Sequence, residues 1–515
     1  MTNAIIKMKI FFSPLAPWSA VILACVLPFL RMGAEFEPRD FLWAEDGNVF
    51  LTSALTEGVN SIFSPYAGYL HVYQRLIALI AAQADLFWTP TLFLLGWSAA
   101  AMVLFMSAWA YLRRMDIKPA IALATCSIIY LQPHSGEVFF NLTNVQWFTG
   151  PSLALLALSN FAGPIRLLSI VYISAAALTG PFAIILTPIL AWRAWIFKRI
   201  RTEDCLVAVG ASVQFIIYLH SERGKGELAD PQLIHWLSAL WTFLTFGSQY
   251  FIIQLCSLAL WATIAFRFVS DFRVTRLQTA NQYSHRFLLM FGVCIFIASL
   301  YAVKGIPNVI SPRGDGARYF FVPYTTAIIY FTVSQDKLER LGFVKLAMLL
   351  AVFLVHFERV NHENRQFRAF QAAAAVEAGV KIPLNPNGWS FSVQKHPTPE
   401  NYLIKFSLIF SANDNVHHKA NAPLVLTATR KCNPGDFVIM ALTGPGFNVG
   451  NYDVFSAEVE RSPSQMVRIE LFKTEERIWL AYIQPLNAPA VAIKADSQND
   501  WKNPKVSLRC INRQT

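Results

Sequence analysis

The chain has 515 residues, of which 55% are hydrophobic, 14% aromatic and only 15% charged. Soluble domains carry about 25% charged residues, so the composition excludes a soluble enzyme with one anchor and predicts a polytopic membrane protein. The formal net charge of +11 is spread over short loops, which argues for membrane orientation and against a nucleic-acid partner.

An apolar run of about twenty residues crosses a bilayer as a helix. Eleven such runs are predicted, at 11–30, 88–111, 118–132, 146–162, 166–180, 181–197, 204–220, 248–268, 286–303, 318–334 and 341–357. The first follows Lys7 and Lys9, as a signal peptide would. It is too long for the usual apolar core of a signal and lacks a small-x-small cleavage site, so it reads as a retained first helix. Gly163-Pro164 and Gly180-Pro181 break the middle runs. Segments 69–84 and 235–250 are too polar to span and read as interfacial helices.

Lys and Arg in short loops set orientation. With the amino end in the cytoplasm, seventeen fall on that side up to residue 357 and eight on the other. An odd number of spans then puts the carboxyl end outside. The expected location is a bacterial inner membrane, with the carboxyl-terminal part in the periplasm.

From residue 358 the composition changes. Residues 358–383 read as a polar, Ala-rich helical linker. Residues 384–515 carry short alternating runs at 424–429, 437–442, 454–459, 467–472, 478–483, 490–495 and 506–510, separated by turns such as Asn433-Pro434-Gly435. That pattern predicts a small all-β sandwich. The expected fold is therefore an α-helical polytopic membrane domain over 1–357, with a long first outer loop at 31–87, followed by a β-rich extracytoplasmic domain. Cys25, Cys126, Cys205, Cys256 and Cys294 lie in apolar runs and read as small core residues. Cys432 and Cys510 lie in the polar part, where one disulfide between them is open if that part faces an oxidising compartment.

The stretch that organises the rest is 35–50, E-F-E-P-R-D-F-L-W-A-E-D-G-N-V-F. It follows the first apolar run and sets Glu45 and Asp46 side by side. A solvated loop is the plain alternative. Adjacent acids repel each other's charge, a setting in which a carboxylate serves as a general base. The other polar clusters fall on the same outer side. His71 and Arg75 are four residues apart and share a helix face, as a site pair or as an interfacial anchor. The second outer loop carries His134, Glu137, Asn141 and Asn144, suited to sugar hydroxyls or to capping helix ends. The fifth carries Lys304, Arg313, Asp315, Arg318 and Tyr319. Guanidinium forks match phosphate oxygens, and Gly314 and Gly316 let backbone approach. Nonspecific headgroup contact is the alternative for the two arginines, and snorkelling for Lys304. Trp43, Tyr66, Tyr69 and Trp147 suit sugar stacking or an aromatic belt. The cytoplasmic loops hold no Gly-rich phosphate cradle. A donor used on the outer face, where no nucleotide is available, has to be lipid-linked.

On these residues the chain resembles the GT-C class of membrane glycosyltransferases, the group that includes protein O-mannosyltransferases and the aminoarabinose transferase of lipid A. In those enzymes an acidic motif lies in the first outer loop, and basic residues of a later loop hold the phosphate of a polyprenyl-phosphate sugar. A-E-D-G-N-V-F here takes the place of the acidic motif, and R-G-D-G-A-R-Y that of the phosphate loop. The order of the acids is reversed, so either is a candidate base. The resemblance covers the membrane part, to about residue 357. It implies transfer of a sugar from a polyprenyl-phosphate donor to a glycan, lipid or protein acceptor, with no cofactor and with membrane lipids as partners. Two adjacent acids could bind a divalent ion, but an oxygen site needs more ligands than these two. A polysaccharide polymerase or ligase and a lipid or glycan transporter are the competing classes.

Overall fold

The computed structural model describes residues 15–34, 36–159, 161–221, 233–273, 280–303, 310–314, 316–334, 339–362, 367, 381–386 and 388–392, and beyond these the backbone of eight strands between 405 and 512. The protein is mostly helical, with 14 helices among the described residues. They are α1 (Leu15–Val26), α2 (Thr52–Glu57), α3 (Val72–Gln83), α4 (Thr89–Arg114), α5 (Pro119–Leu131), α6 (Gln146–Leu158), α7 (Gly163–Ala177), α8 (Phe182–Phe197), α9 (Thr202–His220), α10 (Leu233–Leu244), α11 (Phe251–Arg273), α12 (Ala280–Ala302), α13 (Arg318–Val333) and α14 (Glu339–Val355). Each of the eleven apolar runs is occupied by a helix, and α3 and α10 fall on the two segments read as interfacial. Among the described residues, four stretches are long and apolar enough to cross a membrane, namely Leu86–Arg114, Thr202–His220, Phe251–Ser270 and Tyr283–Ala302. The other apolar helices are shorter.

The Gly-Pro breaks are helix starts rather than kinks. Pro164 lies in the first turn of α7, and Pro181 stands just before α8. The missing N–H of proline is harmless there, because the first N–H groups of a helix have no internal partner.

Two compact units divide the chain. One holds residues 1–36, 57–79 and 93–361; the other holds 37–56, 80–92 and 362–515. The acidic stretch, however, groups with the carboxyl-terminal part and not with the helices around it in sequence.

In the first unit, polar side chains tie helices across an apolar interior. Thr125 of α5 meets Thr332 of α13 at 3.1 Å, and Tyr111 of α4 meets Ser284 of α12 at 2.9 Å. Phe243 stacks on Tyr324 and on Phe296, and the Tyr324 hydroxyl donates to the Phe243 carbonyl. A hydroxyl buried in this way needs a partner, or it leaves an unmet group in a dry interior.

Arg31 is the largest such case. It follows the turn Leu27–Arg31 that ends the first helical segment, and it is 0% exposed. Its Nε donates to the Tyr130 carbonyl at 2.9 Å, and Nη1 to those of His134 and Glu358 at 3.1 and 3.2 Å. Nη2 donates to the Gln132 carbonyl. Phe139 and Phe357 lie against the guanidinium at 4.8 and 5.0 Å. Tyr130 and Gln132 stand at the carboxyl end of α5, where unpaired carbonyls make the negative pole of the helix. A cation there satisfies both the orphan acceptors and the dipole. The backbone around it is paired as well. Val360 donates to the Arg31 carbonyl at 2.6 Å, and Gly33 to that of Val360 at 3.0 Å. Three segments distant in sequence are thereby closed on one side chain.

In the second unit, β1 (Lys381–Leu384) and β2 (Trp389–Ser392) form an antiparallel hairpin. The remaining strands are β3 (Lys405–Leu408), β4 (Leu424–Thr427), β5 (Phe437–Thr443), β6 (Val454–Ser462), β7 (Gln465–Glu475), β8 (Ile478–Ile483), β9 (Ala490–Ala495) and β10 (Lys505–Asn512). They pair antiparallel as one sheet in the order β3-β10-β5-β8-β7-β6-β9-β4. Seven of these strands start within about two residues of the alternating runs read from the sequence. Of the expected helical linker, residues 358–362, 367 and 381–383 are described; the last three are strand, paired in the β1-β2 hairpin, and not helix, while the rest lies outside the described residues, as do the side chains of Cys432 and Cys510.

Arg31→Met keeps the volume and removes every donor. Each orphaned buried carbonyl costs about 1–3 kcal/mol. The variant is therefore expected to lose several degrees of melting temperature in detergent, and an unchanged melting curve would contradict the clamp.

Candidate functional site

Glu45 and Asp46 lie where a strand-like segment turns into helix. Ala44 donates to the Asn385 carbonyl at 2.6 Å, and Asn385 donates back to that of Leu42 at 3.0 Å. Phe41 stacks on His362 at 4.6 Å between ring centres, and Trp43 meets the same ring edge-on at 5.4 Å. The backbone then enters a wide π turn over Asp46–Leu51. Such turns leave the regular ladder and occur often at functional sites. The Thr52 hydroxyl donates to the Gly47 carbonyl at 2.8 Å. Gly47 is needed for close approach, since a Cβ there would stand 2.8 Å from Cδ1 of Leu384 in the hairpin. The acids are thus anchored by chain encoded some 340 residues later. Consecutive residues of a helical turn point roughly 100° apart. Asp46 is accordingly buried, at 1% exposure, whereas Glu45 is half-buried.

The basic stretch belongs to the first unit and is built by two loops. Ser135 donates its N–H to the Pro312 carbonyl at 3.0 Å and its hydroxyl to that of Gly314 at 3.2 Å. Gly316 has φ +73, a left-handed conformation that suits glycine, and a Cβ there would meet Ile310 at 2.7 Å. From this turn the chain enters α13 at Arg318. The Glu137 carboxylate accepts the Arg318 N–H at 3.1 Å and its guanidinium at 2.6 Å. A carboxylate at a helix amino end is favoured by the dipole. Arg318 also lies over the Tyr319 ring at 5.1 Å, and Tyr319 meets Trp147 edge-on at 5.4 Å.

Asn141 and Asn144 act on Glu137. Both side-chain amides donate to its carbonyl, at 2.8 and 2.9 Å, and the Asn144 N–H bonds Asn141 Oδ1 at 2.9 Å. Both are 1% exposed. Their polar groups hold the loop that holds Arg318. Arg313 lies on the same turn and donates from Nε and Nη2 to Glu358 Oε1, at 2.7 and 2.5 Å. His356 is buried nearby and stacks on Tyr250.

The two other histidines sit among backbone groups. His134 Nδ1 accepts the Gly136 N–H at 2.9 Å, so the ring is neutral with its proton on Nε2. Burial, aided by the Arg31 charge, takes its pKa well below the ordinary range. His71 Nε2 donates to the Tyr66 carbonyl at 3.1 Å. Burial pulls its pKa down to about 4, the Tyr66 carbonyl opposes, and the Arg75 charge adds to the fall. Arg75 itself is 1% exposed; burial lowers its pKa and the Glu57 charge raises it. His71 also pairs backbone with Thr179, which joins the segment before α3 to the end of α7.

The structure therefore gathers Glu137, Asn141, Asn144, Arg318, Tyr319 and Arg313 around two docked loops. His71 and Arg75 lie on a different pair of segments, and Glu45 and Asp46 in the other unit. Lys304 and Asp315 lie outside the described residues. Sequence reading missed Glu358, His356 and Arg31. Glu358 had one available signal: it is the first acid after the last apolar run, at a helix carboxyl end where an acid needs a cation nearby. Compared with family models, curated proteins and solved structures, the chain finds no match. Among the described residues no group of three His, Cys, Asp or Glu side chains could hold a metal ion.

His71 and His134 bind fewer protons folded than unfolded, where histidine titrates near 6.5. Their contribution is intact above that pH and is lost as pH falls toward the folded values. For His71 the loss is about 3 kcal/mol at its limit. The melting temperature should drop between pH 7 and 5, and His71→Gln, which keeps an N–H for Tyr66 but does not titrate, should flatten that drop. An equally steep drop in the variant would contradict this assignment.

Proposed function

We propose that the protein is a membrane glycosyltransferase that takes a sugar from a polyprenyl-phosphate donor on the outer face of a bacterial inner membrane and passes it to a cell-surface glycan, lipid or protein. The reading takes the eleven apolar helices as spans of a GT-C-like domain, with the carboxyl-terminal β-rich part in the periplasm. The observation that carries it is the basic turn before α13. Two guanidinium groups stand there before or at the start of an apolar helix, and one is preset by the carboxylate of Glu137, whose backbone carbonyl is held by Asn141 and Asn144. Positive charge and a helix amino end together suit a phosphate at a membrane surface.

In this mechanism Glu45 or Asp46 takes the proton of the acceptor hydroxyl as its oxygen attacks the anomeric carbon. The bond from that carbon to the phosphate oxygen breaks, and the phosphate leaves on its lipid. Arg313 and Arg318 stabilise the charge that develops on it. A single displacement inverts the anomeric configuration. Asn141, Asn144 and Glu137 act by holding Arg318 in place.

Transport is the second reading. Pro151, Pro188 and Pro323 inside helices favour it, since interrupted helices recur in transporters. A transporter needs no base. Alanine at both Glu45 and Asp46 should lower transfer by roughly 10²-fold or more while membrane abundance stays unchanged. The readout is the surface-glycan profile of cells with the gene, without it, and with the double variant. Loss of the same sugar in the last two supports the enzyme, and a normal profile in the double variant removes the proposed base.

A further inference from the structure

Arg313 and Arg318 leave the same turn but are held differently. Glu137 takes both the backbone and the guanidinium of Arg318, and two asparagines fix Glu137 in turn. The Arg313 fork closes on one oxygen of Glu358. The side chains of that pair are 34% and 37% exposed. Water screens charges in such a setting, so the pair holds weakly. The backbones beneath it are fixed. Arg31 holds the Glu358 carbonyl, Val360 bonds that of Arg31, and Ser135 holds those of Pro312 and Gly314. The result is a weak contact between two firmly placed side chains, and it can exchange partners without moving the backbone.

A carboxylate oxygen in a guanidinium fork occupies the place that a phosphate oxygen takes in the same fork. We propose that Glu358 is an internal stand-in for a phosphate group at Arg313, holding the guanidinium until an anionic phosphate displaces it. The proposal rests on the reading of Arg313 as a phosphate ligand. A tethered carboxylate competes at an effective concentration in the millimolar range. A phosphate that also contacts Arg318 gains a second cation and on that account displaces the carboxylate. Glu358 thus sets which anions reach Arg313.

The test measures binding of farnesyl phosphate, a short polyprenyl phosphate, to the full-length protein in detergent, with inorganic phosphate and farnesol as comparators. Glu358→Gln is nearly isosteric and should bind farnesyl phosphate about two- to fivefold more tightly, the range for release of an exposed ion pair. Arg313→Gln should bind it more weakly, and adding Glu358→Gln to that variant should change nothing further. Equal tightening for inorganic phosphate would assign the exchange to the phosphate group itself, and tightening confined to farnesyl phosphate would assign it to the lipid-borne form. If Arg313→Gln weakens binding but Glu358→Gln does not tighten it, the stand-in is overturned and the phosphate site remains. If Arg313→Gln leaves binding unchanged, the phosphate site at Arg313 fails, and the stand-in with it.

Discussion

A guanidinium with no water around it must place its N–H groups on the protein, and Arg31 places them on the ends of other segments. Its four acceptors are backbone carbonyls from the end of α5, the loop after it and the segment after α14. Unpaired buried charge is costly, so this arrangement persists only while those segments stay together. That condition fixes the loop carrying Glu137, which presets Arg318, and the segment carrying Glu358, which meets Arg313. The basic turn is shaped by a residue that touches neither arginine.

The same economy of contacts recurs in the second unit. Leu42, Ala44 and Asn385 exchange backbone hydrogen bonds, His362 covers Phe41 and Trp43, and Gly47 admits the hairpin. The acids therefore stand on a turn whose position is set by packing rather than by the acids themselves. In both units the charged side chain is placed by a series of contacts made elsewhere in the chain. Preset charge of this kind stabilises a developing anion without reorganising when the anion forms.

Much of this was legible beforehand, and what was legible has a common cause. Apolar runs mark helices because a dry backbone must bond within itself, so eleven runs became helices with close boundaries. Alternation marks strands, so the runs from 424 to 510 were found again in β4 to β10. Asn141 and Asn144 were legible as polar groups near a helix start but not by their partner, since an amide serves a sugar hydroxyl or a carbonyl equally well. Arg31 looked like one more charge flanking an apolar run. Nothing local distinguishes a snorkelling arginine from one that closes on carbonyls a hundred residues away. The π turn at Asp46 was also hidden, because it depends on Leu384 and Phe391 of the hairpin. Long-range partners, not local propensity, account for what the sequence left open.

The central claim is that Arg31 shapes the basic turn without touching it. Binding of farnesyl phosphate to the Arg31→Met variant, purified in detergent and still folded, tests it most directly. The account predicts weaker binding than in the parent protein, because the segments carrying Glu137 and Glu358 lose their common tie. Unchanged binding would contradict it.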